Sequence, residues 1–181
     1  MKKVFMLAMV ALMTLAVSNQ AQAIENPNPK GTKVLGLHAG YYPGFGFNAT
    51  FDYTLVDSWW KGHFNVGGYL GFNSRSYNYA YYRDRWTNFA LMPRATYGLN
   101  ITKEFEVHAG VMLGLCMHRW AYTYDDGYYY GDIATSDTDW NFCHGEVLGA
   151  RYMFTPKFGA EVEFNYCGYM SWFNVGVTMK L

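Results

Sequence analysis

From residue 33 onward the chain alternates. In its last ten residues, Trp172 to Leu181, Phe173, Val175, Val177, Met179 and Leu181 interleave with Asn174, Gly176, Thr178 and Lys180. A strand turns successive side chains to opposite faces, so the segment carries one apolar row and one small or polar row. The polar row holds Gly, Asn and Thr rather than the Lys and Glu of a solvated surface. That combination fits a strand whose apolar side meets lipid and whose other side fills a narrow barrel.

Seven earlier segments repeat the pattern, at about 33–41, 46–56, 62–74, 87–99, 105–118, 140–154 and 158–167. In 105–118, for example, Phe105, Val107, Ala109, Val111, Leu113, Leu115 and Met117 oppose Glu106, His108, Gly110, Met112, Gly114 and Cys116. Two positions break the phase. Pro93 falls on an apolar row and predicts a local bulge. Glu146 falls on the apolar row of the sixth segment and predicts a second bulge near Gly145. Connector lengths add an independent regularity. Connectors 57–61, 100–104 and 155–157 are short, whereas 75–86 and 119–139 are long. Short turns at one end and long loops at the other are the arrangement of a transmembrane barrel, with both chain ends on the short-turn, periplasmic side. The expected fold is therefore all-β, a single eight-stranded antiparallel up-and-down transmembrane barrel. The last strand pairs with the first and removes the sheet edges.

The start of the chain reads differently. Lys2 and Lys3, an apolar run from Val4 to Val17 and the Ala21-Gln22-Ala23 site have the form of a cleaved export signal. The expected organisation is a signal peptide at 1–23, a short periplasmic leader at 24–32 and the barrel at 33–181. Aromatics make up 20% of the chain and charged residues only 15%, with 19 glycines. Tyr, Trp and Phe favour strands, and Tyr and Trp favour membrane interfaces. Formal charge balances at zero and turns slightly acidic once Lys2 and Lys3 are removed, which argues against nucleic-acid partners.

Through these strand patterns and the ending Val175-Gly-Val-Thr-Met-Lys-Leu181, the chain resembles the small eight-stranded outer-membrane barrels of Gram-negative bacteria. That group includes the OmpA transmembrane domain and OmpX. The resemblance implies a monomer in the outer membrane, surrounded by its lipid and inserted by the barrel-assembly machinery, which reads such a terminal strand. Leu181 stands where a terminal Phe is more usual. No cofactor is expected.

The inward rows collect Asp52, Arg94, Glu106, Arg151, Glu161 and Glu163 with His38, His63 and His108. An eight-stranded barrel is just filled by side chains, and buried charges persist only when paired, so these groups are expected to form an interior polar network. A narrow ion or solute conduit through the same residues is the alternative. Cys116, Cys143 and Cys167 all fall on the inward phase; Cys116 and Cys143 could form a cross-strand disulfide, and their spacing matches no zinc pattern. A lipid A-modifying enzyme would need a His–Ser constellation facing lipid. The serines of the barrel region, Ser58, Ser74, Ser76, Ser136 and Ser171, lie in or beside connectors, and the outward His144 has no evident partner. Asp125, Asp126, Asp132, Asp137 and Asp139 lack the ordered spacing of a calcium loop.

The long connectors carry Tyr77, Tyr79, Tyr81 and Trp86, then Tyr124, Tyr128, Tyr129 and Tyr130. Such residues form interface girdles in membrane barrels. The alternation of Tyr77, Tyr79 and Tyr81 also suggests strands that continue above the membrane as a hairpin. Tyr-rich exposed surfaces make good contact patches, so the expected role is structural or adhesion-type contact with an extracellular ligand whose identity the residues do not specify. A soluble lipocalin-like barrel would invert the faces and leave the glycine-rich rows in water with few Lys to solubilise them.

Overall fold

The structure, a computed structural model, describes residues 27–60, 62–78, 82–124 and 133–181, with the side chains of Ile133 and Ala134 excepted. The export signal lies outside the described residues, as do Tyr79, Tyr81, Tyr128, Tyr129 and Tyr130. Eight strands follow in order: β1 (Lys33–Tyr41), β2 (Phe45–Trp59), β3 (Gly62–Asn78), β4 (Tyr82–Asn100), β5 (Phe105–Tyr124), β6 (Ile133–Met153), β7 (Phe158–Tyr166) and β8 (Phe173–Lys180). Each pairs antiparallel with its neighbours, and β8 returns to β1, so the barrel is closed. The terminal strand that alternates most cleanly is the closing strand, with Leu37 opposite Val177 and His38 opposite Gly176.

Alternation along each strand sorts the side chains. Leu37, Phe47, Leu70, Leu91, Leu113, Leu115, Phe164 and Val177 point outward and are exposed. Asn48, Asp52, Asn65, Arg94, Glu106 and Glu163 point inward and are buried. An exposed apolar wall around a buried polar lumen is the inverse of a soluble protein, and it belongs in a bilayer. Aromatics ring both rims. At the periplasmic rim Trp59 packs edge-on against Phe64 and Tyr97, and the Tyr97 hydroxyl reaches the Trp59 carbonyl at 2.8 Å. At the opposite rim Trp172 packs against Tyr42 and Tyr166. Amphipathic rings of this kind anchor a barrel at the headgroup level.

Neither predicted bulge is present. β3 and β4 keep one register throughout, with Pro93 directly opposite Gly68. Towards β5 the pairing lapses at Met92 and Pro93 but resumes unshifted at Arg94 and Met112. Proline lacks the N–H for the ladder, yet one missing bond is absorbed without inserting a residue. The β5–β6 register is likewise continuous through Gly145, so Glu146 does face outward, between Val111 of β5 and Tyr166 of β7. Tyr166 is the last residue of β7, which places this carboxylate at the level of the extracellular aromatic rim, where a charge costs little. The register shifts that do occur lie in β2 against β3, between Thr54 and Val56 and between Val56 and Trp59.

Strand lengths are uneven. β1, β7 and β8 have 9, 9 and 8 residues, whereas β3, β4, β5 and β6 have 17, 19, 20 and 21. A tilted strand crosses the hydrocarbon in ~9–11 residues. The surplus lies at one end only, so the four central strands rise beyond the membrane as a continuous sheet. Much of 75–86 and 119–139, expected as loops, is therefore strand.

Candidate functional site

Two regions concentrate chemistry, the filled lumen and the inner face of the sheet above it. In the lumen, Arg94 of β4 sets Nε 3.0 Å from Asp52 Oδ1 and Nη2 2.8 Å from Glu163 Oε1. Arg151 of β6 sets Nη2 2.8 Å from Glu161 Oε1 and 3.4 Å from Asp52 Oδ2, and Nη1 3.4 Å from Glu106 Oε1. Asp52 thus bridges the two guanidinium groups. His108 Nε2 lies 3.1 Å from Glu163 and 3.4 Å from Glu161. His38 places one ring nitrogen 3.4 Å from Glu161 and the other 2.8 Å from the Asn48 amide oxygen.

All nine residues named for the interior network therefore lie buried in one cluster. Space for the imidazoles comes from glycines on the adjoining strands. His38 pairs with Gly176, His63 with Gly98 and His108 with Gly149, and a Cβ at any of these glycines would collide with the ring. His108, Glu161 and Glu163 bring ligand atoms within 4.8 Å of one another, a spacing that suits a metal. The Arg94 and Arg151 guanidinium groups already sit on those carboxylates, so the trio reads as part of the ion-pair network.

A residue outside the strand pattern completes the lower end. Asn28, on the leader before β1, is 1% exposed and donates its amide to Glu106 Oε2 at 2.7 Å. The same nitrogen lies 3.3 Å from His63 Nε2. The leader is tied down by hydrogen bonds from Gly31 N to the Thr54 carbonyl and from Lys30 N to Asp57 Oδ2. Nothing in its sequence signals this role, because a single inserted side chain has no period.

At the upper end the β7–β8 connector folds over the lumen. Asn73 of β3 donates to Ser171 Oγ at 2.8 Å, and Asn88 of β4 donates to the Tyr169 carbonyl at 2.9 Å. His118 stacks on Tyr169 with ring centroids 4.9 Å apart and hydrogen-bonds Asn88.

Above this cap, the inward phase of β3–β6 no longer faces a lumen and becomes an open face. Register places Arg75, Trp86, Trp120 and Asp137 in one row across the four strands. The next row outward is Tyr77, Asp84, Tyr122 and Thr135. The Arg75 guanidinium lies 4.8 Å from the Trp86 ring centre and 5.1 Å from that of Tyr77. Tyr77 packs edge-on against Trp86 at 5.7 Å, Trp120 stacks on Tyr122 at 6.1 Å, and Tyr82 lies 5.8 Å from Tyr122. Of the loop residues named from the sequence, Tyr77, Trp86 and Tyr124 share this phase. The sequence pattern does not single out Trp120 with Tyr122, since only the β4–β5 register brings Trp120 beside Trp86.

Closed ring, apolar wall, aromatic rims and charged lumen together define a small eight-stranded outer-membrane barrel. Solved structures of that class superpose on it. Ail, the attachment invasion locus protein of Yersinia pestis, matches with a TM-score of 0.51 at 14% identity, over 83% of this chain and 95% of that one. A major outer membrane protein from Thermus thermophilus matches with a TM-score of 0.52 at 12% identity, over 83% and 99%. The N-terminal β-barrel domain of Pseudomonas aeruginosa OprF gives 0.48 at 15% identity, over 84% and 98%. No protein-family model matches the chain, and no curated protein does.

Proposed function

We propose that this chain is a non-catalytic surface-contact protein of the outer membrane, which engages an extracellular ligand through the aromatic inner face of β3–β6. One observation carries the reading, the cross-strand row Arg75–Trp86–Trp120–Asp137. Rigid aromatic rings present large contact area at low entropic cost, and Arg stacked on them supplies an oriented donor. The row stands on four hydrogen-bonded strands rather than on a mobile loop, so it is already ordered before a ligand arrives. A girdle role accounts for rings that face lipid; these rings share the phase of the lumen instead.

The lumen supports a structural role beneath this surface. Two guanidinium groups, four carboxylates and three imidazoles cross-link strands from all sides. Among the described residues no serine hydroxyl hydrogen-bonds a histidine, which speaks against an acyl-transfer enzyme. The test is attachment of cells displaying the protein to immobilised glycans and extracellular-matrix proteins. Trp86→Ala with Trp120→Ala should abolish attachment while heat-modifiable migration, the signature of a folded barrel, is kept. Attachment that survives the double substitution overturns the reading.

A further inference from the structure

Six sulfur-bearing side chains pack together in the extracellular half of the lumen. Met92 of β4, Cys116 and Met112 of β5, and Cys143 of β6 face inward. Cys167, just past β7, and Met170 of the capping connector join them in one packed group. Five of the six are at most 1% exposed, and Cys143 is 9% exposed. The three thiols are unbridged, and Cys116 and Cys143 are diagonal neighbours on the inner face of the β5–β6 pair. The Cys167 Cβ and the Met112 methyl both approach within 3.1 Å of where a Cβ on Gly145 would stand. Glycine there lets a thiol and a thioether lie side by side.

Methionine and cysteine also serve as plain apolar filler. This group does not have that composition. Among the described residues its other members are Tyr69 and Ala90, with no Leu, Ile, Val or Phe, although such residues are abundant on the outer wall. Three cysteines in an exported chain are also unusual as filler, because the compartment favours their oxidation. Thiolates and thioethers are soft ligands that select Cu(I) over the hard cations taken by carboxylates. The two donor sets are separated by height, since Arg94 is the inward neighbour of Met92 towards the periplasm.

We propose that this cluster binds one soft monovalent d10 cation, Cu(I), between the thiolate of Cys116 and that of a second cysteine, Cys143 or Cys167, with Met thioethers closing the shell. Each thiol that binds loses its proton to solvent as the sulfur–metal bond forms, and the metal keeps its oxidation state, so no electrons move. Two thiolates and Cu(I) leave one negative charge above the Arg94 guanidinium. The lower lumen is filled by ion pairs, which leaves the capped upper end as the entry. There His118, the next inward residue above Cys116 on β5, supplies an imidazole on the path.

The barrel purified in detergent under nitrogen would be titrated with Cu(I) against a bathocuproine chelator, and with Ag(I) as an air-stable probe. One cation per barrel is expected by native mass spectrometry, with a sulfur-to-metal charge-transfer band. Cys116→Ser should lower Cu(I) affinity by more than the roughly 10–100-fold that loss of a supporting partner costs a metal site. Met170→Leu, which keeps the packing volume, should lower it less. Unchanged affinity in Cys116→Ser overturns the proposal. So does an intact mass lighter by two hydrogens with one titratable thiol, which would mean a disulfide. If Cys116→Ser does not fold, absence of the one-to-one Ag(I) adduct in the unsubstituted barrel overturns it equally.

Discussion

Arg151 and Glu161 stand directly opposite each other on β6 and β7, and their side chains close to 2.8 Å inside the lumen. The same guanidinium reaches Asp52 of β2 and Glu106 of β5, so one side chain ties four strands. Removing one partner of a buried pair leaves the others uncompensated, at a cost of about 3–5 kcal/mol. Arg151→Met should therefore lower the urea midpoint of the detergent-folded barrel by that equivalent. Adding Glu161→Gln to Arg151→Met should recover part of the loss. Strictly additive costs in that double variant would sink the network account.

Three glycines of this lumen, Gly98, Gly149 and Gly176, mark where imidazoles lie. A Cβ at Gly149 would strike the His108 ring and push it off Glu163, whereas nothing lies within 4 Å of a Cβ at Gly68 on the outer wall. Gly149→Ala is expected to cost about 1–3 kcal/mol, the penalty for leaving a buried polar group unpaired. Gly68→Ala should stay within about 0.5 kcal/mol of the unsubstituted barrel. Parallel denaturant titrations check both, and equal effects at the two positions would refute the assignment.

Lipid is what made the fold legible. Wherever a strand crosses hydrocarbon, its outer row must be apolar, so β5 and β8 stand out as clean alternation. Above the membrane neither face has that constraint. Residues 135–139 (Thr135, Ser136, Asp137, Thr138 and Asp139) contain no apolar row, and the strand there is held by its ladder to β5. Alternation alone therefore assigns that segment to a loop. Tyr77 hinted at the β3–β4 hairpin only because its neighbours alternate. Inward phase identified Asp52, Arg94 and Glu163 as lumen residues, but phase carries no height, so their partners depended on register. Trp86 beside Trp120 is a product of register alone. The two expected bulges failed for a common reason: a missing N–H at Pro93 and a charge at Glu146 are each tolerable without breaking the ladder.

Glu146 then makes its own prediction. It projects outward next to Tyr166 at the extracellular rim, and acidic residues near a membrane interface cost at most about 1 kcal/mol. Glu146→Leu should raise stability by no more than that. Moving the charge to the middle of the wall, as Leu37→Glu, should destabilise clearly, because Leu37 is the central residue of the nine-residue β1 and stands opposite the exposed Val177. A large gain from Glu146→Leu would place the bilayer boundary higher than the aromatic rim.

The leader supplies the last test. Asn28 is the one described residue before β1 whose side chain enters the lumen to meet Glu106, at 2.7 Å. Glu106 also faces His63 and Arg151, so the amide is one of several donors that keep a buried carboxylate satisfied. Hydrogen bonds to charged groups contribute about 1.5–3 kcal/mol, and Asn28→Ala should lower stability by that order without changing the strand ladder. The effect should depend on its partner. In a Glu106→Gln background the same substitution should cost markedly less, since the amide then loses a neutral acceptor rather than a carboxylate. Four urea titrations complete the cycle. A coupling energy indistinguishable from zero would mean that the leader rests on the barrel mouth without sealing it.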